Sequence, residues 1–221
     1  MRTRFLFLPV FLVLLSACRG AAYREYHFTD PVEYYYFYPE GAGTEGPAPL
    51  VIALLGDKHS PLDCIELFQQ FSKDRRYALL CPALGGDQGL ADPLQAERDL
   101  AAILTKLYST STFQDRFFLI GFGDGGSFAL QYALKYPQAV NGVSAMSVEA
   151  YPENFAPPGP LPVQLLAGQQ DAAGLAEAKA VGQDWLAQGM LVDVVAVEGN
   201  GRSPSKAFAR FASELADQVA R

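Results

Sequence analysis

Apolar residues along this chain alternate between short uninterrupted runs and longer stretches with helical spacing. Residues 50–55 are apolar at every position, which is typical of a strand covered on both faces. Residues 62–72 carry apolar side chains three and four positions apart, as an amphipathic helix does. The pattern predicts strands at 34–38, 50–55, 77–81, 117–120, 142–148, 163–167 and 191–197, and helices at 62–72, 92–108, 128–136, 172–188 and 204–219. This order predicts an α/β fold with a mostly parallel sheet and helices on both faces.

The first residues have the pattern of an export signal. Arg2 and Arg4 precede an apolar run at 5–15 that is too short to span a bilayer. Residues 15–18 (LSAC) resemble the lipobox of bacterial lipoproteins. The resemblance implies that residues 1–17 are a signal peptide, that Cys18 is lipidated and that 18–221 form the mature protein. The alternative is an ordinary cleavable signal peptide with a cysteine at this place by chance.

Charge limits the classes of partner that can be expected, and length limits the number of domains. Residues 1–17 hold two arginines and no acids, so residues 18–221 have 15 basic and 24 acidic residues, a formal charge of −9. An acidic exported chain is a poor nucleic-acid binder. About 200 residues suit one domain, and the Gly/Pro-rich stretches at 41–49 and 151–162 are too short to divide it. The residue after Cys18 is Arg19, and in lipoproteins the lack of aspartate there favours the outer membrane over the inner one.

Residues 117–137 carry the most specific signal. A buried strand runs into Gly121-Phe122-Gly123-Asp124-Gly125, and a helix follows that ends before Pro137. The segment resembles the strand, elbow and helix of α/β-hydrolases, in which G-x-S-x-G lifts a nucleophilic serine on a strained turn. Gly123 stands in the place of that serine, so the atom that would attack a carbonyl is missing.

The resemblance extends over nearly all of residues 18–221. Residues 49–56 are similar to the strand that leads into the oxyanion loop, and residues 77–82 and Tyr136-Pro137 follow at the intervals of the family. The nearest branch holds carboxylesterases, phospholipase-like enzymes and polyhydroxybutyrate depolymerases. The resemblance implies an α/β-hydrolase fold without a large lid domain. It also implies backbone oxyanion donors near Gly56, Asp57 and Asp124.

The acid and the base of the triad can be located in the same way. Asp171 closes a segment that resembles the G-x-x-D of the acid loop, although it also suits the N-cap of the next helix. Arg202 stands where the resemblance places the catalytic histidine. Only His27 and His59 occur in the chain, and neither follows the last strand. His59 lies just beyond the expected oxyanion loop, where it either reaches the pocket or is a partly exposed loop residue. Arg202 therefore either pairs with Asp171 or is a solvated loop arginine. If the pair forms and is partly buried, removal of either partner is expected to cost about 1 to 3 kcal/mol.

Two other active-site assignments depend on the same segment. Asp124 could serve as a carboxylate nucleophile in an atypical ester hydrolase, but this would put Phe122 where a tiny residue is needed. Residues 121–126 also match G-x-G-x-x-G, with Glu149 expected at the end of the next strand as a ribose-binding acid, which is the pattern of a dinucleotide-binding protein. The late position of this motif in the chain and the predicted export speak against that function.

Two cysteines remain besides Cys18. Cys64 and Cys81 are predicted at the same edge of the sheet, where they either form a disulfide or remain as buried thiols. The sequence as a whole predicts a lipid-anchored envelope protein with a degenerate, non-catalytic hydrolase site. The expected partners are the membrane, through the N-terminal lipid, and either a small acyl, carbohydrate or peptide ligand or an envelope protein. No cofactor or metal is expected.

Overall fold

A computed structural model describes residues 23–56, 59–157, 159–199 and 201–219. The described strands are β1 Tyr23–Phe28, β2 Tyr34–Pro39, β3 Leu50–Leu54, β4 Ala78–Pro82, β5 Phe117–Phe122, β6 Val140–Met146, β7 Pro162–Gly168 and β8 Leu191–Val197. The helices are α1 Pro61–Arg75, α2 Pro93–Thr110, α3 Asp124–Lys135, α4 Ala172–Ala187 and α5 Lys206–Val219, with a 3-10 helix at Gly86–Ala91. Within these ranges, no helix has the length and apolar character that crossing a membrane requires.

The eight strands form one sheet in the order β1-β2-β4-β3-β5-β6-β7-β8. The pairs from β4 to β8 are parallel, whereas β1 and β2 are antiparallel to their neighbours. The predicted α/β fold with a mostly parallel sheet is therefore confirmed. Strand β1 was not predicted, because its sequence is largely polar, residues 25–27 are exposed and the strand lies at the edge of the sheet.

Helices cover both faces of the sheet. Along β3, Leu50, Ile52 and Leu54 belong to a core shared with α2, α3 and α4, whereas Val51 and Ala53 belong to a core shared with α1 and α5. Successive side chains of a strand point to opposite faces, so an uninterrupted apolar run follows from a sheet that is buried on both sides. This explains why β3 was readable from the sequence.

The helix starts follow local capping chemistry. Ser60 caps α1 in a reciprocal arrangement, since the Asp63 amide donates to the Ser60 hydroxyl and the Ser60 amide donates to the Asp63 carboxylate. The Asp92 carboxylate accepts from the Gln95 amide at the start of α2. These bonds satisfy amides that the first turn of a helix leaves without partners. The predicted start of α2 is thereby confirmed.

Several boundaries differ from those predicted, and two of them affect the elbow and its surroundings. Helix α3 begins at Asp124 and not at 128, because Gly125 and Gly126 are helical despite their low propensity. Strand β6 ends at Met146 and not at 148, so Glu149 lies in the following loop and not at the end of the strand.

Cys64 and Cys81 form a disulfide that joins α1 to β4. Their Cα atoms are 5.9 Å apart, and both side chains are buried. Of the two alternatives left open by the sequence, the structure has the bridge and not the free thiols. The bridge holds the first turn of α1 at the carboxyl edge of the sheet, close to the loop that carries His59.

Candidate functional site

The turn between β5 and α3 has the backbone of a nucleophile elbow. Gly123 has φ +61° and ψ −125°, a conformation that side chains with a Cβ rarely adopt. Its amide donates to the Met146 carbonyl at 2.9 Å, and its carbonyl accepts from the Ser127 amide at 3.1 Å. These bonds fix the turn between β6 and the first turn of α3. The apex residue is held as a catalytic serine would be, although glycine has no nucleophilic atom.

Space is available at the apex for a side chain. A Cβ built on Gly123 would have the Glu149 Oε1 atom as its nearest neighbour, at 3.8 Å, which is an ordinary contact. Glycine at this position is therefore not required by packing against neighbouring atoms. The Ser127 hydroxyl is nearby, but it is engaged with the Ala150 amide at 3.0 Å and lies one turn into α3.

Two neighbouring glycines are accounted for by close packing. A Cβ on Gly121 would lie 2.3 Å from the Gly125 carbonyl oxygen, and a Cβ on Gly125 would lie 2.3 Å from the Leu54 carbonyl oxygen. Only glycine lets α3 approach β5 and β3 this closely. Of the three glycines in the G-x-G-x-x-G pattern at 121–126, Gly121 thus has a packing explanation that needs no dinucleotide.

The expected oxyanion donors lie beside a negative charge. Gly56 has φ +79°, and a Cβ there would fall 1.7 Å from the Asp124 Oδ1 atom, so the Asp124 carboxylate lies directly over this glycine. Asp124 Oδ1 also accepts from the Gly125 amide at 3.0 Å. A carboxylate in this place opposes the build-up of a second negative charge on a bound carbonyl. The third expected donor, Asp57, lies outside the described residues.

Asp171 and Arg202, which were expected at the acid and base positions, form an ion pair. The Arg202 Nε atom donates to Asp171 Oδ2 at 2.7 Å, and Asp171 Oδ1 accepts from the Gly174 amide at 3.2 Å as the N-cap of α4. Asp171 is thus the N-cap of α4 and also the partner of Arg202. The Asp171 side chain is 12% exposed and that of Arg202 is 60% exposed. The Arg202 hydrogen bond, assisted by the Gly174 amide, lowers the pKa of Asp171, and the same pairing raises the pKa of Arg202.

These elements surround a cleft of about 180 Å³ at the carboxyl edge of the sheet. It is lined by Leu55, His59, Phe122, Gly123, Asp124, Ser147, Glu149 and Arg202. His59 is half-buried, and its ring meets the Phe122 ring edge-on at 6.2 Å. His59 therefore lies in a loop and also lines the cleft. His27 lies in β1 and bonds to Glu33 at 2.9 Å, away from this edge.

Ser147 is a cleft residue that the sequence analysis missed. Its φ is +46°, which is uncommon for a residue with a Cβ, and its side chain is largely buried. Its hydroxyl oxygen has no hydrogen-bond partner among the described residues. An unpaired buried hydroxyl costs about 1 to 3 kcal/mol. Nothing in the local sequence at 146–148 indicates a left-handed residue, so no sequence signal could have found it.

In the described ranges, no group of three or more His, Cys, Asp or Glu side chains could hold a metal ion. The predicted lipidation site, Cys18, lies outside the described residues. The structure therefore brings together Gly56, Gly123, Asp124, Asp171 and Arg202 from the predicted set, and His59 joins them.

Comparisons with solved structures agree with the fold described above. No model of a known protein family matches the sequence, and no curated protein is significantly similar to it. Among solved structures, a carboxylesterase from Mesorhizobium loti is 13% identical with a TM-score of 0.68, over 87% of this chain and 98% of its own. A putative dienelactone hydrolase from Klebsiella pneumoniae is 18% identical with a TM-score of 0.65, over 89% and 97%. Esterase PE8 is 20% identical with a TM-score of 0.62, over 80% and 95%. At such identities the likeness concerns the fold and carries no activity across.

Proposed function

The chain has the α/β-hydrolase fold, and on that premise we propose that it is a lipid-anchored cell-envelope protein whose hydrolase site binds and does not catalyse. The observation that carries this proposal is Gly123 at the apex of the elbow. The turn, the helix and the cleft of a hydrolase are in place around a residue that cannot attack a carbonyl.

Two further contacts support loss of catalysis. Arg202 and Asp171 form an ion pair where the resemblance expects the base and its orienting acid. A guanidinium is always protonated and cannot accept a proton from a nucleophile. The pair is a fixed ionic contact in place of a proton relay. The Asp124 carboxylate, seated over Gly56, adds negative charge where a hydrolase needs positive potential.

The anchor rests on the N-terminal sequence. Arg2, Arg4, the apolar run at 5–15 and Cys18 support export and lipidation, and Arg19 supports the outer membrane. Residues 18–221 would then remain in the envelope as the working protein, attached through the lipid. The ligands that fit this setting are a small acyl, carbohydrate or peptide group, or another envelope protein. The charge of −9 argues against nucleic acid.

The test is covalent labelling of purified mature protein by a fluorophosphonate, together with turnover of short-chain aryl esters. The parent protein should show neither above a heat-inactivated control. Because a Cβ at position 123 meets no close neighbour, Gly123→Ser/Asp124→Asn/Arg202→His should gain labelling, whereas Gly123→Ser alone should not. Parent turnover that disappears in Asp124→Asn or His59→Ala would overturn the proposal.

A second candidate function is an atypical carboxylic-ester hydrolase. The names of the similar structures favour it, since they are an esterase, a carboxylesterase and a dienelactone hydrolase. In such an enzyme Asp124 would have to act as the nucleophile or base. The same assay decides between the two functions, because only this candidate predicts turnover by the parent that depends on Asp124.

A further inference from the structure

The chain enters the sheet at the edge opposite the cleft. In β1, Tyr23 pairs with Pro39 at the end of β2, whereas Phe28 pairs with Tyr34 at its start. Tyr34 in turn pairs with Pro82, the last residue of the parallel strand β4. Tyr23 therefore lies where the parallel strands begin. The cleft lies where they end, beyond β5 and β6.

The two places are also separated across the sheet. Strand β1 is the outermost strand on one side, and β5 is four strands away from it. Four strand spacings are about 19 Å and six residues of strand are about 20 Å, so Tyr23 and the elbow lie about 28 Å apart along a diagonal of the sheet.

The connection to Cys18 is shorter than this diagonal. Only five residue steps separate Cys18 from Tyr23, and a chain of that length reaches at most about 18 Å when fully extended. A lipid on Cys18 would hold the β1 corner next to the bilayer. The cleft, at the other end of the parallel strands, would then face the aqueous phase.

The residues that line the cleft are mostly polar or charged, which suits contact with water and with polar ligands. Arg202, His59, Asp124 and Glu149 contribute ionisable groups, and Ser147 contributes a hydroxyl. An acyl chain placed against these groups would desolvate charges without replacing their hydrogen bonds, which is unfavourable. Paired donors and acceptors of both signs suit a polar ligand that can bond to several of them.

Building on the lipid anchor of the proposed function, we propose that this cleft lies on the side of the domain that faces away from the anchoring membrane, open to polar ligands of the aqueous phase. Of the ligand classes considered above, carbohydrate and peptide groups fit, and an acyl chain of the same bilayer does not. The domain thus presents its site to the aqueous compartment or to a structure across it.

The experiment measures the orientation of lipidated full-length mature protein on phosphatidylcholine vesicles. One fluorophore is placed at Glu45→Cys, in the exposed loop at the edge where Tyr23 enters, and a matched one at Glu153→Cys, in the exposed loop after β6. The native disulfide is buried, so the new thiols are the ones that react. Energy transfer to an acceptor lipid should place the Glu45 label nearer the bilayer, by roughly the 20 Å length of a strand. A third label, at Glu149→Cys, should be quenched by soluble iodide and left unquenched by a nitroxide lipid.

Each outcome decides the proposal. Equal transfer from the two loops, greater transfer from Glu153, or nitroxide quenching at Glu149 would overturn the orientation while leaving the anchor and the loss of catalysis intact. Vesicle flotation is measured first, on the same preparations. Protein that fails to float contradicts the anchor itself, and the orientation falls with it. Flotation together with the expected transfer pattern supports both.

Discussion

The contact between Arg202 and Asp171 allows a quantitative test of the triad replacement. Arg202 is 60% exposed, so water screens the ion pair, and Asp171 is 12% exposed, so the carboxylate would be poorly solvated alone. These two facts put the pair at the upper end of the range for surface ion pairs, about 1 kcal/mol. This lies at the low end of the 1 to 3 kcal/mol expected for a partly buried pair.

The role of Asp171 as N-cap has to be separated from its charge. Asp171→Ala removes both the pair and the acceptor for the Gly174 amide, and should cost about 2 kcal/mol, half of it from the lost cap. Asp171→Asn keeps a capping oxygen and removes only the charge, so it should cost about 1 kcal/mol. Arg202→Ala should also cost about 1 kcal/mol.

The assay is urea unfolding of the four proteins of the cycle formed by Arg202→Ala and Asp171→Asn. Once one partner is gone the other has little left to lose, so the double variant should cost about 1 kcal/mol and not 2. Variants that are additive within about 0.3 kcal/mol would show that the two side chains are not coupled, and would refute the clamp.

The pH dependence of the coupling free energy between Arg202 and Asp171 gives an independent check on the ion pair. The pKa of Asp171 is lowered from its ordinary value of 3.8, first by the Arg202 hydrogen bond. A lowered carboxylate pKa contributes stability that is complete above the unfolded-state pKa and is lost as the pH falls through the folded-state pKa. The coupling should therefore be constant from pH 5 to 8 and disappear only in strong acid. A coupling that titrates near pH 6.5, the ordinary histidine range, would point to a partner other than Arg202.

Three further outcomes are expected. Gly125→Ala should destabilise the protein by about 3 kcal/mol in urea unfolding, because its Cβ would fall 2.3 Å from a carbonyl oxygen of β3. The control variant Gly201→Ala has open space around its Cβ and should be nearly neutral. Equal effects of the two variants would contradict the packing argument. Cys64→Ala/Cys81→Ala should lower the free energy of unfolding by about 3 kcal/mol for a bridge spanning 17 residues, and dithiothreitol should destabilise the parent but leave this variant unaffected. Cys18→Ser should abolish labelling by radioactive palmitate, and an unlabelled parent would remove the lipoprotein assignment.

The repeated alternation of apolar runs and helical spacings was sufficient to predict the parallel core of the fold. Strands such as β3 are covered on both faces and must be apolar throughout, so their signal is local and strong. The edge strand β1 carries no such signal, because its outer side faces solvent and its pairing with β2 tolerates polar residues. Local propensity also misplaced the start of α3, where glycines are required by the approach of β3 and not by the helix itself.

For the site, the sequence determined what is missing and the tertiary structure decided what takes its place. Gly123 and the presence of only two histidines are facts of the sequence, and they predict the loss of an ordinary triad without any coordinates. The Asp124 carboxylate over Gly56, the left-handed Ser147 and the 2.7 Å contact between Arg202 and Asp171 join segments far apart in the chain. Such contacts depend on the register and twist of the sheet, which bring the ends of separate strands to one edge, and no local pattern of residues encodes that meeting.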